Sequence, residues 1–413
     1  MKSACRLIGV LAAVAILASA TWALGQDFPQ WRGVNRDGTV TGFTAPEKWP
    51  TELTQKWKVT VGAGDSSPVL VGDKICVFAR QGQEEVTLCL NPADGKQLWM
   101  DKNAAPAVTG APSSHPGPRS TPVVADGKIV TLGVGGVVSC LSAADGKVLW
   151  RKDPFPQSWP RFYTALSPMV VDGIAIAHVG KEGNGAVIAF DLATGDQKWK
   201  WAGEGPAYSS PVLMTVEGTK QIVTMTEKSV VGIGAADGKL LWQVPFAASG
   251  MAYNAATPIV DGQTVIFTGQ GRGTKAVKIE KSGDTFAAKE LWANAQVGTQ
   301  FNSPVLKDGL LFGLSQQGYL FCINAKDGKT AWTDTVARGS GRNAGYSGMF
   351  NAGSAIVALP SNSELIVFKP ADTGYSELAK YKVASTPVYA SPVLAGDRIF
   401  VKDQDSLTLW TLK

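Results

Sequence analysis

The chain has 413 residues, of which 45% are hydrophobic and 18% are charged. This composition excludes intrinsic disorder and is typical of a compact soluble protein. The net charge of +5 includes Lys2 and Arg6. The other basic residues are interleaved with acidic ones and form no block, which argues against a nucleic-acid partner.

The first 25 residues have the pattern of a cleavable signal peptide. Lys2 and Arg6 precede an apolar run from Leu7 to Ala20, and Ala23-Leu24-Gly25 supplies small residues before a cleavage site at Gln26. The alternative is an uncleaved anchor, but the run is short for a membrane span of about 20 residues. No cysteine follows the run as a lipid attachment site. We therefore expect a periplasmic or secreted protein without a stable membrane anchor.

A lead-in segment, residues 26–52, comes next, and it is followed by residues 53–59, Leu53 to Val59. These seven residues have the pattern of an outer β-strand, but they precede the first repeat and have no blade of their own. Residues 53–413 form the predicted domain.

A Ser/Thr-Pro opening followed by an apolar strand recurs along this domain. Proline is tolerated at the first position of a strand, where its missing N–H lies outside the ladder. Successive copies up to Ser303 are 43 to 54 residues apart. The copies begin at Ser67, Thr121, Ser167, Ser210, Thr257, Ser303 and Ser391.

A second recurring phrase is a Gly-containing turn followed by a strand that ends in Trp, as in Asp94-Gly95 to Trp99. Asp-Gly is favoured in tight hairpins because the turn needs positive φ. A tryptophan at a fixed repeat position is typical of packing between blades rather than of ligand binding. The predicted structural tryptophans are Trp57, Trp99, Trp150, Trp199, Trp242, Trp292 and Trp332.

A period in the forties with short strands predicts propeller blades of four antiparallel strands. Six full copies end at a Trp, and a seventh, degraded copy runs from Tyr346 to Tyr381, with Tyr381 in the Trp place. The eighth copy begins at Pro392 and is one strand short. Pairing of residues 53–59 with this last blade would close the ring. The sequence thus predicts an all-β fold, a single eight-bladed β-propeller.

Four cysteines follow the signal peptide. Cys89, Cys140 and Cys322 each lie five residues before an Asp-Gly pair, so they occupy one equivalent position in three blades and are interpreted as small buried residues. Cys76 and Cys89 lie on neighbouring strands of one blade, and a disulfide between them remains the open alternative.

The residues that lead into each innermost strand should gather at one mouth of the central channel. Five of these eight lead-ins carry a Tyr, although the chain has only 8, and Tyr combines stacking area with a hydrogen-bonding tip. We expect this mouth to bind a ligand, although tyrosines that simply fill the channel would give the same pattern. The candidate residues are Asp65, Arg119, Tyr163, Tyr208, Tyr253, Asn254, Phe301, Asn302, Arg342, Tyr346 and Tyr389.

The Pro-Val opening and the Asp/Thr-Gly-Lys-x-Leu-Trp ending resemble the pyrroloquinoline-quinone-like (PQQ-like) repeat over roughly residues 53–412. This family includes quinoprotein alcohol dehydrogenases and BamB-like scaffolds of outer-membrane assembly. The stretch from Phe28 to Gly38 also resembles the lead-in of exported, BamB-like bacterial propellers. The resemblance is specific for the fold and weak for the function.

The resemblance implies three alternative functions. The favoured one is a monomeric, non-catalytic cell-envelope scaffold that binds a protein, peptide or glycan partner at one mouth of the channel. The others are a PQQ-dependent oxidoreductase that uses PQQ with Ca²⁺, and a carbohydrate-binding accessory protein. The dehydrogenases of the family have a vicinal cysteine pair, which this chain lacks, and it has no Cys-x-x-Cys-His haem motif either. We therefore expect no catalytic residues, no metal and no cofactor.

Overall fold

Regular structure in this protein is almost entirely β-strand. The computed structural model describes residues 27–248, 253–339 and 341–413, without the side chain of Arg342. The predicted signal peptide lies outside these residues. In the described ranges the helical turns are two 3-10 segments, Ala111–Ser114 and Gly341–Asn343, and none of this part of the chain forms a helix long and apolar enough to cross a membrane.

One strand precedes the repeats, β1 (Thr54–Thr60). The strands of the first four blades are β2 (Val69–Val71), β3 (Lys74–Gln81), β4 (Glu84–Leu90), β5 (Gln97–Ala104), β6 (Val123–Ala125), β7 (Lys128–Leu132), β8 (Val138–Ser142), β9 (Val148–Lys152), β10 (Met169–Val171), β11 (Ile174–Lys181), β12 (Asn184–Asp191), β13 (Gln197–Trp201), β14 (Val212–Val216), β15 (Thr219–Met225), β16 (Ser229–Gly234) and β17 (Leu240–Pro245). The strands of the last four blades are β18 (Ile259–Asp261), β19 (Thr264–Gly269), β20 (Gly273–Ser282), β21 (Thr285–Asn294), β22 (Val305–Lys307), β23 (Leu310–Leu314), β24 (Tyr319–Asn324), β25 (Thr330–Ala337), β26 (Ser347–Asn351), β27 (Ile356–Pro360), β28 (Glu364–Phe368), β29 (Glu377–Lys382), β30 (Val393–Ala395), β31 (Arg398–Lys402) and β32 (Ser406–Thr411).

These strands form eight four-stranded antiparallel sheets in the described part of the chain, which confirms the predicted eight-bladed propeller. The eighth sheet has the order β1-β32-β31-β30, with Thr54 opposite Thr411 and Thr60 opposite Ser406. The N-terminal strand therefore closes the ring, as predicted. The first strands of neighbouring blades contact each other, β2 with β6 and β14 with β18, for example, so the first strand of a blade is its innermost one.

At five junctions in the described part of the chain, the Ser/Thr hydroxyl of one opening phrase accepts a hydrogen bond from the backbone of the preceding phrase. The backbone N–H of Thr121 donates to Oγ of Ser167 at 2.9 Å, and the N–H of Ser167 donates to Oγ of Ser210 at 2.9 Å. The same bond crosses the closure, from the N–H of Ser391 to Oγ of Ser67 at 2.8 Å. A hydroxyl before the proline thus satisfies a buried backbone donor of the preceding blade.

The repeated tryptophans link the blades at their outer edges. The indole N–H of Trp150 donates to the carbonyl of Leu192 in the next blade at 3.1 Å, and Trp292 bonds Ala325 in the same way at 2.8 Å. The rings lie against the glycine of the next blade's turn, since a Cβ added to Gly328 would come within 2.5 Å of the Trp292 ring. Equivalent bonds to the next blade are made by Trp57, Trp99, Trp199 and Trp332.

Two blades depart from this scheme. Trp242 donates to Oε1 of Gln221 in its own blade at 2.6 Å, because the next blade has the long β20–β21 hairpin where others have the glycine turn. In the seventh blade the position of the Trp is occupied by Ala379, as the register shift between Val367 and Phe368 shows. The interpretation of Tyr381 as the Trp equivalent was therefore wrong. Its hydroxyl instead donates to the carbonyl of Pro50 at 2.7 Å.

One pair of cysteines forms a disulfide, and the other two cysteines are small buried residues, as predicted. Cys76 and Cys89 lie directly opposite each other on β3 and β4 and form a disulfide, which settles the open alternative. Cys140 and Cys322 are buried free thiols. Burial raises the pKa of Cys140 to about 11 and of Cys322 to about 12, so both remain neutral and apolar.

Residues 28–44 of the lead-in segment fill the end of the channel opposite the mouth and contact every blade. In blade order the contacts are Phe28 with Leu70, Pro29 with Val124, Arg36 with Pro168 and Pro211, Trp31 with Thr257, Arg32 with Pro304, Val40 with Asn351, and Thr44 with Gly396. The segment therefore acts as a hub that joins the eight blades at their inner edges.

Two buried arginines hold the hub. Nε and Nη1 of Arg36 donate to the carbonyls of Pro211 and Pro168 at 2.7 and 2.8 Å, and Nη2 of Arg32 donates to the carbonyl of Pro304 at 2.6 Å. Burial lowers the pKa of Arg36 to about 9 and of Arg32 to about 10, so both are charged at neutral pH. Their guanidinium groups satisfy strand carbonyls that face the channel.

The contact between tryptophan and glycine should carry measurable stability. Gly328 and Gly309 have nearly the same φ, +74° and +75°, but an added Cβ meets the Trp292 ring only at Gly328 and meets nothing within 4 Å at Gly309. Both Ala variants bear the left-handed penalty of about 1–2 kcal/mol. Gly328→Ala should lose a further ~1–3 kcal/mol from displacement of the ring. Urea denaturation measures the free energy of unfolding of both variants. Equal losses of this free energy would show that the contact between Trp292 and Gly328 contributes nothing to stability.

Removal of a hub arginine should loosen the ring. Arg36→Met keeps most of the apolar stem and leaves the carbonyls of Pro168 and Pro211 without their donors. We expect a loss of about 2–4 kcal/mol in the free energy of unfolding. The control Arg161→Met, at an exposed position, should change it by no more than about 0.5 kcal/mol. An unchanged denaturation midpoint for Arg36→Met would contradict the role of the hub.

Candidate functional site

The open end of the channel forms a cup. Because the strands of a blade are antiparallel, the blade lead-ins and the turns between second and third strands lie at the same end of the ring. They surround a cavity of about 1380 Å³. Trp31 of the hub lies at its floor, with its indole N–H donating to Oγ1 of Thr257 at 3.0 Å. A ligand therefore enters from one side only.

Aromatic side chains from successive blades form a continuous belt around this cavity. Each contacts the next: Phe162 and Tyr253 have ring centroids 5.1 Å apart, Tyr253 and Phe301 5.9 Å, and Phe301 and Tyr346 3.8 Å with nearly parallel planes. Tyr208 lies edge-on to Tyr253 at 4.8 Å. Edge-to-face and offset contacts of this kind are favourable, so the belt is preorganised.

The belt continues into a polar corner. Tyr389 lies edge-on to Tyr346 at 4.9 Å and to the ring of His115 at 4.7 Å. Nδ1 of His115 lies 2.8 Å from Oδ2 of Asp65. Arg119 donates to the carbonyls of His115 and Phe162. Asp65, Arg119 and His115 are therefore engaged with one another or with the backbone.

A buried lysine lies behind this corner. Nζ of Lys402 donates to the carbonyls of Gly64 at 2.5 Å and Asp403 at 3.2 Å. Burial lowers the pKa of Lys402 to about 8, which the negative charge of Asp65 partly opposes. Lys402 thus adds positive potential beneath the Asp65 carboxylate without lining the cavity.

The tyrosine hydroxyls are neutral hydrogen-bonding groups. Burial raises the pKa of Tyr208, Tyr253, Tyr346 and Tyr389 above the usual range of a phenol. The hydroxyl of Tyr208 accepts from the N–H of Phe162 at 3.0 Å. The other three hydroxyls form no hydrogen bond with the described residues, which leaves them available to a ligand.

The structure brings most of the predicted site residues together. The cavity lining contains Asp65, Arg119, Tyr208, Tyr253, Phe301, Tyr346 and Tyr389. The side chain of another candidate, Arg342, is outside the part of the chain that the structure describes.

Three candidates point away from the cavity, which corrects the prediction for them. Tyr163 is buried and its hydroxyl donates to the carbonyl of Ala107 at 3.0 Å. Nδ2 of Asn254 donates to the carbonyl of Thr226 at 2.8 Å, and Nδ2 of Asn302 donates to that of Ser347 at 2.9 Å. Asn254 and Asn302 lie next to a lining aromatic in the sequence, and their side chains face the opposite way because successive residues of extended backbone alternate.

Sequence reasoning missed one side of the cavity. The glutamines that line it are Gln270, Gln300, Gln316 and Gln317. Gln270, Gln316 and Gln317 come from turns between second and third strands, and tracing strand direction through one repeat would have placed those turns at the mouth. Phe162 and Trp31 were also missed, because nothing in the repeat assigns them to the channel.

Comparisons with known proteins agree with this architecture. A family model described as "Outer membrane protein assembly factor BamB" matches residues 82–334. Outer membrane protein assembly factor BamB of Burkholderia pseudomallei is 24% identical over 367 residues, which cover 86% of this chain and 86% of the relative. Polyvinylalcohol dehydrogenase of Pseudomonas sp. is 24% identical over 333 residues, which cover 61% of this chain and 51% of the relative.

Solved structures show the same fold. BamB from Moraxella catarrhalis superposes with a TM-score of 0.62 at 13% identity, covering 87% of this chain and 97% of that one. Quinohemoprotein alcohol dehydrogenase from Comamonas testosteroni superposes with a TM-score of 0.73 at 13% identity, covering 95% of this chain and 81% of that one. Proteins named as assembly factors and proteins named as dehydrogenases thus share the architecture, so the fold alone does not give the function.

Proposed function

This chain belongs to the family of PQQ-like repeat propellers whose model is described as outer membrane protein assembly factor BamB, and we propose that it is a non-catalytic scaffold of the cell envelope. It binds an envelope component through the aromatic cup, as a monomer in the periplasm or outside the cell. The names of its relatives and the pattern of its first 25 residues support this location.

The observation that carries the proposal is the chemistry of the lining. Asp65 is its single carboxylate among the described residues, and that carboxylate is paired with His115 at 2.8 Å. The rest of the lining consists of aromatic rings, side-chain amides, Ser and Thr hydroxyls, small apolar residues and two arginines, Arg119 and Arg161. Such a lining recognises a ligand by stacking and hydrogen bonding. It offers no second carboxylate to pair with Asp65 in acid–base chemistry.

A photo-crosslinking experiment tests this proposal. A benzophenone amino acid replaces the exposed lining residue Gln317 in one variant and the exposed Lys96 on an outer turn in the other. We expect the Gln317 position to capture a discrete component from envelope extracts, because it lies at the mouth, and Lys96 to capture none. Adding Tyr253→Ala with Tyr346→Ala should abolish the product. Equal products at both positions, or none at Gln317, would overturn the proposal.

The alternative function is a PQQ-dependent oxidoreductase, which the similarity to polyvinylalcohol dehydrogenase favours. PQQ would supply redox chemistry, and Ca²⁺ requires several oxygen ligands with carboxylates among them. The described lining has one carboxylate, which is already paired, and no group of three acidic, histidine or cysteine side chains in the described ranges is arranged to hold a metal. The residues present therefore do not fit the Ca²⁺-quinone pair.

Spectroscopic titration decides between the two functions. The mature protein is titrated with PQQ in the presence of Ca²⁺ and then assayed for dye-linked oxidation of alcohols and aldoses. We expect no stoichiometric binding and no turnover. Tight binding at one PQQ per chain with turnover would replace the scaffold proposal with the oxidoreductase.

A further inference from the structure

The cup contains more hydrogen-bonding groups than the protein itself uses. The side-chain amides of Gln270, Gln300 and Gln316 line it and form no hydrogen bond with any described residue. The hydroxyls of Tyr253 and Tyr346 also form no hydrogen bond with any described residue. These side chains are only partly buried and face the cavity, so water satisfies them and a ligand can take the place of that water.

These amides and hydroxyls share one property, which is that each can both donate and accept hydrogen bonds. A carboxamide has two donors and an acceptor, and a phenol hydroxyl both donates and accepts. A ligand that satisfies all of them must offer closely spaced groups that also donate and accept. Sugar hydroxyls do so, and the C–H face of a sugar ring is apolar enough to stack on the belt of Tyr253, Phe301 and Tyr346.

Each charged side chain of the lining already contacts another group of the protein, although the two arginines outnumber the one carboxylate. Asp65 is paired with His115, and Arg119 donates to two carbonyls. The guanidinium of Arg161, at the rim, lies 5.4 Å from the centroid of the Phe162 ring. A neutral ligand needs no counter-ion here, whereas a charged ligand would have to compete with these contacts.

The backbone around the cup offers little to a peptide. One common mode of peptide binding is the pairing of an extended peptide with a free strand edge. The channel-facing carbonyls next to the innermost strands are bound by the hub, as at Pro168 and Pro211 with Arg36. The belt residues lie in lead-ins rather than in strands. The floor at Trp31 also stops an extended chain from passing through.

The size of the cup favours an oligomer. Its volume of about 1380 Å³ exceeds the roughly 300–1,000 Å³ of typical small-ligand pockets. Because the cup has one entrance, such a ligand enters by its end.

We propose that the cup binds the terminal units of a neutral oligosaccharide, with the sugar faces on the aromatic belt and the hydroxyls on Gln270, Gln300 and Gln316. This rests on the proposed function, since it names the class of envelope component that the mouth recognises.

Calorimetric titration with a fixed set of probes tests the proposal. The probes are four neutral tetrasaccharides (cellotetraose, maltotetraose, mannotetraose and N-acetylchitotetraose), the acidic tetragalacturonate and a pool of neutral hexapeptides. We expect at least one neutral tetrasaccharide to bind. Gln316→Leu and Tyr253→Phe, which remove an amide and a hydroxyl but keep the shape, should each raise its Kd about tenfold.

Matched controls lie outside the cup. Gln97→Leu, at the start of the outer strand β5, and Tyr375→Phe, in the turn before β29, remove the same groups at the other end of the ring and should change the Kd less than about twofold. If no neutral tetrasaccharide binds, or if the lining variants behave like the controls, the proposal is wrong. Preferred binding of tetragalacturonate or of the peptides, weakened by the same lining variants, would also overturn it and leave the scaffold function standing. The scaffold function fails on a separate test, when position Gln317 gives no crosslinked product or gives no more than position Lys96.

Discussion

An eight-bladed ring leaves a wide central opening, and the innermost strands present backbone carbonyls to it that have no partner within their own sheets. In this protein the lead-in segment supplies hydrogen-bond donors for those carbonyls. Arg32 and Arg36 are buried beside the carbonyls of Pro168, Pro211 and Pro304, and they retain their charge although burial lowers the pKa of each. An arginine suits this place because its planar fork reaches several acceptors at once. The cup exists because this hub closes the other end.

Two further sets of contacts fix the blades around the hub. Near the axis, hydroxyls of the Ser/Thr-Pro phrase accept from the neighbouring backbone, as between Thr121 and Ser167. At the periphery, indole rings lie on the glycine of the following turn, as Trp292 does on Gly328. The residue before each tryptophan is a bulge in the outermost strand, which explains why Leu98 and Leu291 are about half exposed. A bulged outer edge resists pairing with another sheet.

Most of the fold could be predicted from the repeats, because each contact between blades requires the same residue type at the same position of the repeat. The number of blades and the closing strand β1 followed from that regularity. The failures occur where the regularity breaks. In the seventh blade the loop is longer, so Ala379 takes the tryptophan position and Tyr381 does not. The site was harder to predict, since one residue's shift along extended backbone decides whether Tyr253 or Asn254 faces the cavity. The role of the hub could not be predicted, because Arg32 and Arg36 each occur once in the chain's non-repeating segment and belong to no repeat.

Closure by β1 and β32 also has a consequence for the order of events in folding. The partners Thr60 and Ser406 lie near opposite ends of the domain, so this pairing is among the most distant in the sequence and forms slowly relative to hairpins within a blade. A growing or translocating chain presents the hub and β1 first, well before the blades that they join. β1 must wait for β32, and the hub, which contacts the first blade at Leu70, gains its last contact only with Gly396 of the eighth blade. The seven intact blades can form one by one, but the ring becomes cooperative only when synthesis is complete.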